Sequence, residues 1–355
     1  MKKKLWKGNL ALAEGAIAGG MDAYFGYPIT PQNEIPEHLS YRMRELGRVF
    51  LQSESELAAI NMVMGAAITG KKAMTTSSSP GISLMQESLS YIAGCELPAV
   101  IANVQRGGPG LGNISGAQSD YFQSVKGGGH GDYRMIVLAP ASVQDMYDMG
   151  KKSFSLAFKY RNPVMILSDG IIGQMIEPAD ISPVLPGNEI SSESVKENWN
   201  LDGCRDRHPR FIRSLYMGDG ELEAHNYKLL AKYESMKIEV DWEELDTEDA
   251  EIILVGYGAA ARLNLDIHSI CRKRKNIKTG YFRLKTLYPF PSERLSELSE
   301  KAVLIVVEMS AGQLIEDVLL CAKDKSRVFT KTRPGGKMPD ISNVLDDIEK
   351  ITAKS

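Results

Sequence analysis

Apolar and polar positions along this chain follow two regular regimes separated by one polar stretch. In the first regime, small and apolar residues at helical spacing alternate with compact apolar runs of strand length. Residues 9–18 predict a helix opening at an Asn9 cap, and residues 23–27 a short strand stopped by Pro28. Residues 54–68 and 82–93 predict helices, with strands at 73–77 and 99–104. A strand at 135–139 leads to a helix whose start at Ser142 carries a capping pattern, and 163–168 reads as a further strand. Strands alternating with helices predict a parallel α/β sheet whose functional residues sit on short loops at strand ends.

The stretch 186–248 breaks the pattern: it is polar, with scattered Pro, Gly and Ser and one helical segment at 225–236. It reads as a linker that wraps across another surface. The α/β regime returns at 249, with strands at 251–256, 279–284 and 302–308 and helices at 259–273 and 312–322. The expected organisation is therefore 1–185, a wrapping linker 186–248, and a second domain 249–355.

Composition narrows the classes. The 355 residues are 43% hydrophobic and 25% charged with a net charge of −3, which excludes a disordered, collagenous or supercharged chain. Near-neutral charge argues against a nucleic-acid binder. Cys95, Cys204, Cys271 and Cys321 are scattered and form no CxxC, so the chain carries no iron–sulfur or zinc framework of its own, and a reducing cytoplasm is expected. The basic start resembles a signal n-region, but Glu14 and Gly15 interrupt the apolar segment after it, so it reads as the first helix. No apolar run reaches the ~18 residues of a membrane span.

Several motifs carry candidate chemistry. Gly256, Tyr257 and Gly258 follow a strand and open a helix, like half of a dinucleotide fingerprint, although a plain strand–helix turn is the favoured reading. Gly218-Asp219-Gly220 looks like a fragment of a metal–diphosphate motif but reads as a turn, and no metal ligand is assigned. His130, in the glycine run 127–131, is either an acid–base group or an exposed loop histidine. Arg106 stands beside a glycine-rich turn after a strand, placed to hold a carboxylate or phosphate. Glu54 and Glu56 open a helix of small residues; residue type alone makes them solvated carboxylates at a helix start.

Five segments point further: Tyr27-Pro28-Ile29-Thr30-Pro31, Ser53–Glu56 with the small residues after it, 75–85, Arg106-Gly107-Gly108-Pro109, and Glu308 through Leu314. In this order and spacing the chain resembles the alpha subunit of 2-oxoacid:ferredoxin oxidoreductases, from about Gly8 to its end. The reading Pro109-Gly110-Leu111-Gly112, with residues 118–133, resembles the branched-chain, 2-oxoisovalerate type.

The resemblance implies a thiamine-diphosphate-binding pyrimidine domain over 1–185 and a transketolase C-terminal-like domain over 249–355. It implies Glu56 as the carboxyl that holds the cofactor's pyrimidine ring and promotes its reactive form, with Glu54 as the competing candidate. Tyr27 and Pro28 would contact the cofactor, Thr30 the substrate, and Arg106 the substrate carboxylate; His130 stays a candidate. The implied reaction is oxidative decarboxylation to acyl-coenzyme A with electrons passed to ferredoxin. Partner beta, gamma and ferredoxin-like delta subunits would supply magnesium and iron–sulfur clusters, and the alpha chain would associate with itself. A start at Gly312 would offer an anion site in the second domain. The rivals are the same chemistry on 2-oxoglutarate or pyruvate, with Lys126 or Arg134 meeting a distal carboxylate, and a non-catalytic assembly paralogue.

Overall fold

The computed structural model describes residues 3–187 and 198–353. β1 (Lys4–Lys7) runs into α1 (Gly8–Ala18), whose small residues are buried along nearly the whole helix. Glycine allows this: a Cβ on Gly15 would lie 2.2 Å from the Tyr147 carbonyl, so α1 packs backbone to backbone on a later helix. Asn9 does not cap α1. Lys7 occupies that position, and the Asn9 amide instead donates at 2.8 Å to the carbonyl of Pro31 and at 2.8 Å to Glu34.

Then follow β2 (Ala23–Gly26), α2 (Glu34–Glu45), β3 (Val49–Gln52), α3 (Glu56–Ile68), β4 (Ala73–Ser77), α4 (Ser79–Gly94) and β5 (Ala99–Gln105). The pattern reading missed α2 and β3. A short α5 (Tyr121–Val125) precedes β6 (Ile136–Leu138), α6 (Val143–Tyr160), β7 (Pro163–Asp169), α7 (Gly170–Gln174) and β8 (Ile176–Ala179). At the start of α6 the Ser142 hydroxyl accepts from the Asp145 N–H at 3.0 Å, the expected cap. Strand β8 pairs antiparallel with β1.

The remainder gives α8 (Glu221–Ser235), β9 (Trp242–Leu245), β10 (Ile252–Gly256), α9 (Gly258–Ile270), β11 (Thr279–Leu284), β12 (Thr286–Tyr288), α10 (Ser292–Lys301), β13 (Val303–Glu308), α11 (Leu314–Cys321), β14 (Val328–Thr332) and α12 (Ile341–Thr352). Helix α8 lies against the first sheet's helices: His225 Nε2 meets the Gly94 carbonyl at 2.8 Å, and Lys228 pairs with Glu96.

The seven-stranded sheet runs β12-β6-β7-β5-β4-β2-β3, parallel except for β12. The five-stranded sheet runs β14-β13-β10-β11-β9, with β9 antiparallel. Strand β12 belongs by sequence to the 249–355 region yet pairs with β6, so one contiguous core reaches from α1 to β14. In the larger sheet the chain turns back between β2 and β4. At such a switch point the carboxyl ends of the strands open a crevice. Among the described residues no helix is long and apolar enough to cross a membrane.

Candidate active site

The turns after β2, β4, β5 and β7 lie on the same edge of the larger sheet. After β2 comes the turn 27–31, fixed through its carbonyls. Gln32 Nε2 donates to Tyr27 O at 3.2 Å, Arg106 Nη1 to Thr30 O at 3.0 Å, and Gln174 Nε2 to Pro31 O at 2.7 Å. Gln32 directly follows the turn, while Arg106 comes from the end of β5 and Gln174 from α7, so the turn is also held from outside its own loop. Tyr27 and Pro28 are exposed and Thr30 is half-buried.

Arg106 is buried, and its guanidinium spans two loops. Nη1 reaches Thr30 O, Nη2 donates to Leu111 O at 3.1 Å, and the buried Nε–H has no partner among the described residues. A buried donor without a partner costs about 1–3 kcal/mol, so this Nε–H is suited to an acceptor from outside the chain. The loop returns on itself: Gly112 sits at φ +57, and a Cβ there would lie 1.7 Å from Gly107 O. Leu111 stands 80% exposed at its tip.

Behind Arg106 lies a network that sequence reading did not find. Asp120 Oδ2 accepts from Ser79 Oγ at 2.6 Å and Asn103 Nδ2 at 2.8 Å, and Ser79 Oγ accepts from the Arg106 N–H at 3.0 Å. Burial pushes the Asp120 carboxyl above its ordinary range, against the pull of those two hydrogen bonds.

The two candidate glutamates separate cleanly. Ser55 caps α3, accepting from the Ala58 N–H at 3.2 Å, so Glu56 begins the helix and turns inward while Glu54 stays exposed outside it. Glu56 is 6% exposed. Its carboxyl lies over the first turn of α4, where a Cβ on Gly81 would come 2.4 Å from Glu56 Oε1 and 2.1 Å from Ser77 Oγ. The buried hydroxyls of Ser77 and Ser78 have no partner among the described residues. Glycine at 81 therefore lets a buried carboxyl and unpartnered hydroxyls meet at the first turn of α4, a set of polar groups that suits a heterocycle bringing its own donors and acceptors.

His130 is elsewhere. It is exposed, edge-on to Tyr91, and its loop lies along the C-terminal half of α4, where Gly128 N meets Gln86 Oε1 at 3.1 Å. That loop precedes β6 rather than ending a strand, and it meets α4 at Gln86–Tyr91, whereas Glu56 meets that helix at Gly81.

Both candidate anion sites in the second half are filled by the chain's own carboxylates. Glu308 accepts from the N–H groups of Gln313 and Leu314 at 2.9 Å and of Ile315 at 3.2 Å, which occupies the start of α11. Asp169 Oδ2 accepts from Ala259 N at 2.9 Å, which occupies the turn after Gly256 and disfavours a dinucleotide there. The segment around Asp219 is the turn opening α8, and no group of metal-ligating residues forms among the described residues.

Two family profiles cover most of the chain: pyruvate flavodoxin/ferredoxin oxidoreductase, thiamine-diphosphate-binding, over residues 14–243, and pyruvate:ferredoxin oxidoreductase core domain II over 250–344. The chain belongs to the pyruvate flavodoxin/ferredoxin oxidoreductase family. Within this family it is 46% identical to the ketoisovalerate oxidoreductase subunit VorB of Methanothermobacter marburgensis, with 100% of this chain and 99% of that protein aligned. It is 38% identical to the 2-oxoglutarate synthase subunit KorA of Archaeoglobus fulgidus over 90% of this chain and 91% of that one. Its fold matches a 2-oxoglutarate:ferredoxin oxidoreductase from Magnetococcus marinus solved with 2-oxoglutarate, coenzyme A and succinyl-CoA bound. That match has a TM-score of 0.85 at 24% identity, covering 98% of this chain and 65% of the other. The expected α/β class with a thiamine-diphosphate-binding domain is the one present. The chain is thus a subunit of an oxidoreductase of the 2-oxoacid:ferredoxin type.

Proposed function

We propose that this subunit forms half of the active site of a thiamine-diphosphate-dependent enzyme that oxidatively decarboxylates 2-oxoisovalerate and related branched-chain 2-oxoacids to acyl-coenzyme A, passing electrons to ferredoxin. The observation that carries the reading is the pairing, on one sheet edge, of the Glu56–Gly81 contact with an Arg106 whose buried Nε–H has no partner among the described residues. The full-length likeness to a ketoisovalerate oxidoreductase subunit supports the substrate. So does Lys126, which is tied to Asp317 rather than left to meet a distal carboxylate.

Thiamine diphosphate, when bound, supplies the carbon nucleophile and the electron sink for decarboxylation. Glu56 would hold a proton against the pyrimidine nitrogen, in surroundings dry enough to strengthen that hydrogen bond. Tyr27 and Pro28, exposed on the turn beside it, would contact the cofactor. Arg106 would hold the substrate carboxylate through Nε, while its Nη1 fixes the turn that presents Thr30. Glu54 has no part in this arrangement, and His130 lies outside it.

Exposed Leu57, Leu84 and Leu111 border the residues of this edge and suit a covering partner chain. The partners in this reading are beta, gamma and ferredoxin-like delta subunits carrying magnesium and iron–sulfur clusters, in a cytoplasmic assembly that also pairs the alpha chain with itself. The reading divides the chain at 1–185, 186–248 and 249–355. Anaerobic co-expression with those partners, followed by viologen reduction with coenzyme A, tests it. Preference for 2-oxoisovalerate is expected. Preference for 2-oxoglutarate or pyruvate would overturn the substrate, and no turnover of any 2-oxoacid by a cofactor-loaded complex would overturn the activity.

A further inference from the structure

We propose that Asp169 is a positioning residue through which the second sheet sets the placement of the 27–31 turn and the 106–116 loop. The inference rests on the reading of Thr30 and Arg106 as substrate-binding residues. One buried carboxyl serves two helices from two sheets. Oδ1 accepts from the N–H groups of Ile171 and Ile172, both at 3.0 Å, and so caps α7. Oδ2 accepts from Ala259 N at 2.9 Å in the first turn of α9.

The seat around Oδ2 has no slack. Gly258 is at φ +54, and a Cβ there would lie 2.7 Å from Asp169 Oδ2 and 2.9 Å from Gln118 Nε2. Gln118 completes the same joint, donating to Tyr257 O at 2.8 Å and accepting from Met309 N at 3.1 Å. The ends of β10 and β13 therefore both rest on residues of the larger sheet's edge.

On its other side Asp169 leads directly into the site. A Cβ on Gly170 would lie 3.1 Å from Pro31 Cγ and 3.0 Å from Gly116 Cα. Gly116 is bridged to Arg106, and Gln174 of α7 holds Pro31 O at 2.7 Å. Close-packed backbone transmits a displacement instead of absorbing it. A shift of the α9 turn acting on Asp169 must move α7, and α7 cannot move without moving the turn that bears Thr30 and the loop that bears Arg106. Glu56 is reached through β3 and α3, outside this chain of contacts.

Two variants of the assembled enzyme test this. Asp169→Asn keeps an acceptor for the Ile171 and Ile172 N–H groups, since asparagine is a good cap, but turns an N–H toward Ala259 N–H and removes the cross-sheet bond. Gly258→Ala wedges the same contact apart from the other side. Each is expected to raise the KM for 2-oxoisovalerate on the order of tenfold, the scale of one lost buried hydrogen bond. The kcat should change by less than about twofold. The double variant should be no worse than the stronger single one, because both break one contact. Amide hydrogen exchange over 27–34 should be faster in Asp169→Asn, a readout that needs no turnover. Unchanged KM in both variants, additive effects, or equal losses in kcat and kcat/KM would overturn the proposal. If the wild-type complex turns over no 2-oxoacid, the functional reading fails, and unchanged exchange over 27–34 then overturns the coupling by itself.

Discussion

Glu56 and Gly81 are a matched pair. The carboxyl at the start of α3 occupies the space a side chain on the first turn of α4 would need, with Oε1 2.4 Å from an ideal Cβ at position 81. Gly81→Ala must therefore push Glu56 aside or move α4. Overpacking of this kind costs about 1–3 kcal/mol of stability. The expected outcome is a folded complex whose affinity for thiamine diphosphate, measured by calorimetry, falls by at least tenfold, with 1.4 kcal/mol as the scale of a tenfold change.

Arg106→Lys keeps the charge but loses the fork. A lysine cannot bridge Thr30 O and Leu111 O while also presenting an Nε–H. The KM for the 2-oxoacid should rise on the order of tenfold to a hundredfold, ~1.4–2.8 kcal/mol, read from initial rates. An unchanged KM would remove Arg106 from substrate binding.

Glu14 gives a pH test of stability. Burial opposes its ionisation, but His38 Nε2 at 2.7 Å and Arg42 Nε at 2.8 Å outweigh burial, and its carboxyl sits below the usual range. Because the folded pKa is depressed, this stabilisation is complete above the unfolded value of about 4.3 and is lost as pH falls through the folded one. Glu14→Ala should cost about 3 kcal/mol by leaving Arg42 without its main partner. Urea unfolding should show the wild type losing stability more steeply than the variant as pH drops below about 4.3.

Legibility of the sequence follows the range of the interaction. Ser142 is readable as a cap because its partner, Asp145, is three residues away. Asn9 imitates a cap because its partners, Pro31 and Glu34, lie more than twenty residues off and leave no local trace. The start of α11 looks open to an anion because the occupant, Glu308, comes from the strand before it, and Asp169 reaches α9 across ninety residues. Strand β12 is three residues long and pairs with a strand roughly 150 positions earlier, so no periodicity shows it. The glycine-rich turn after a strand singles out Arg106, and family resemblance singles out Glu56. Residue type does not separate Glu56 from Glu54, and burial does. Asp120 and the Asp169 joint rest on tertiary contacts alone.

The central claim is that Glu56 is the carboxyl that activates the cofactor. Its direct test is viologen reduction by the assembled complex, with coenzyme A and 2-oxoisovalerate, comparing Glu56→Gln with Glu54→Gln. Loss of one preorganised group acting in the transition state costs about 3 kcal/mol, so Glu56→Gln should lower kcat on the order of a hundredfold or more while the complex still assembles. Glu54→Gln, at an exposed position before the helix, should stay within about twofold of wild type. The reverse order, or full activity in Glu56→Gln, would contradict the account.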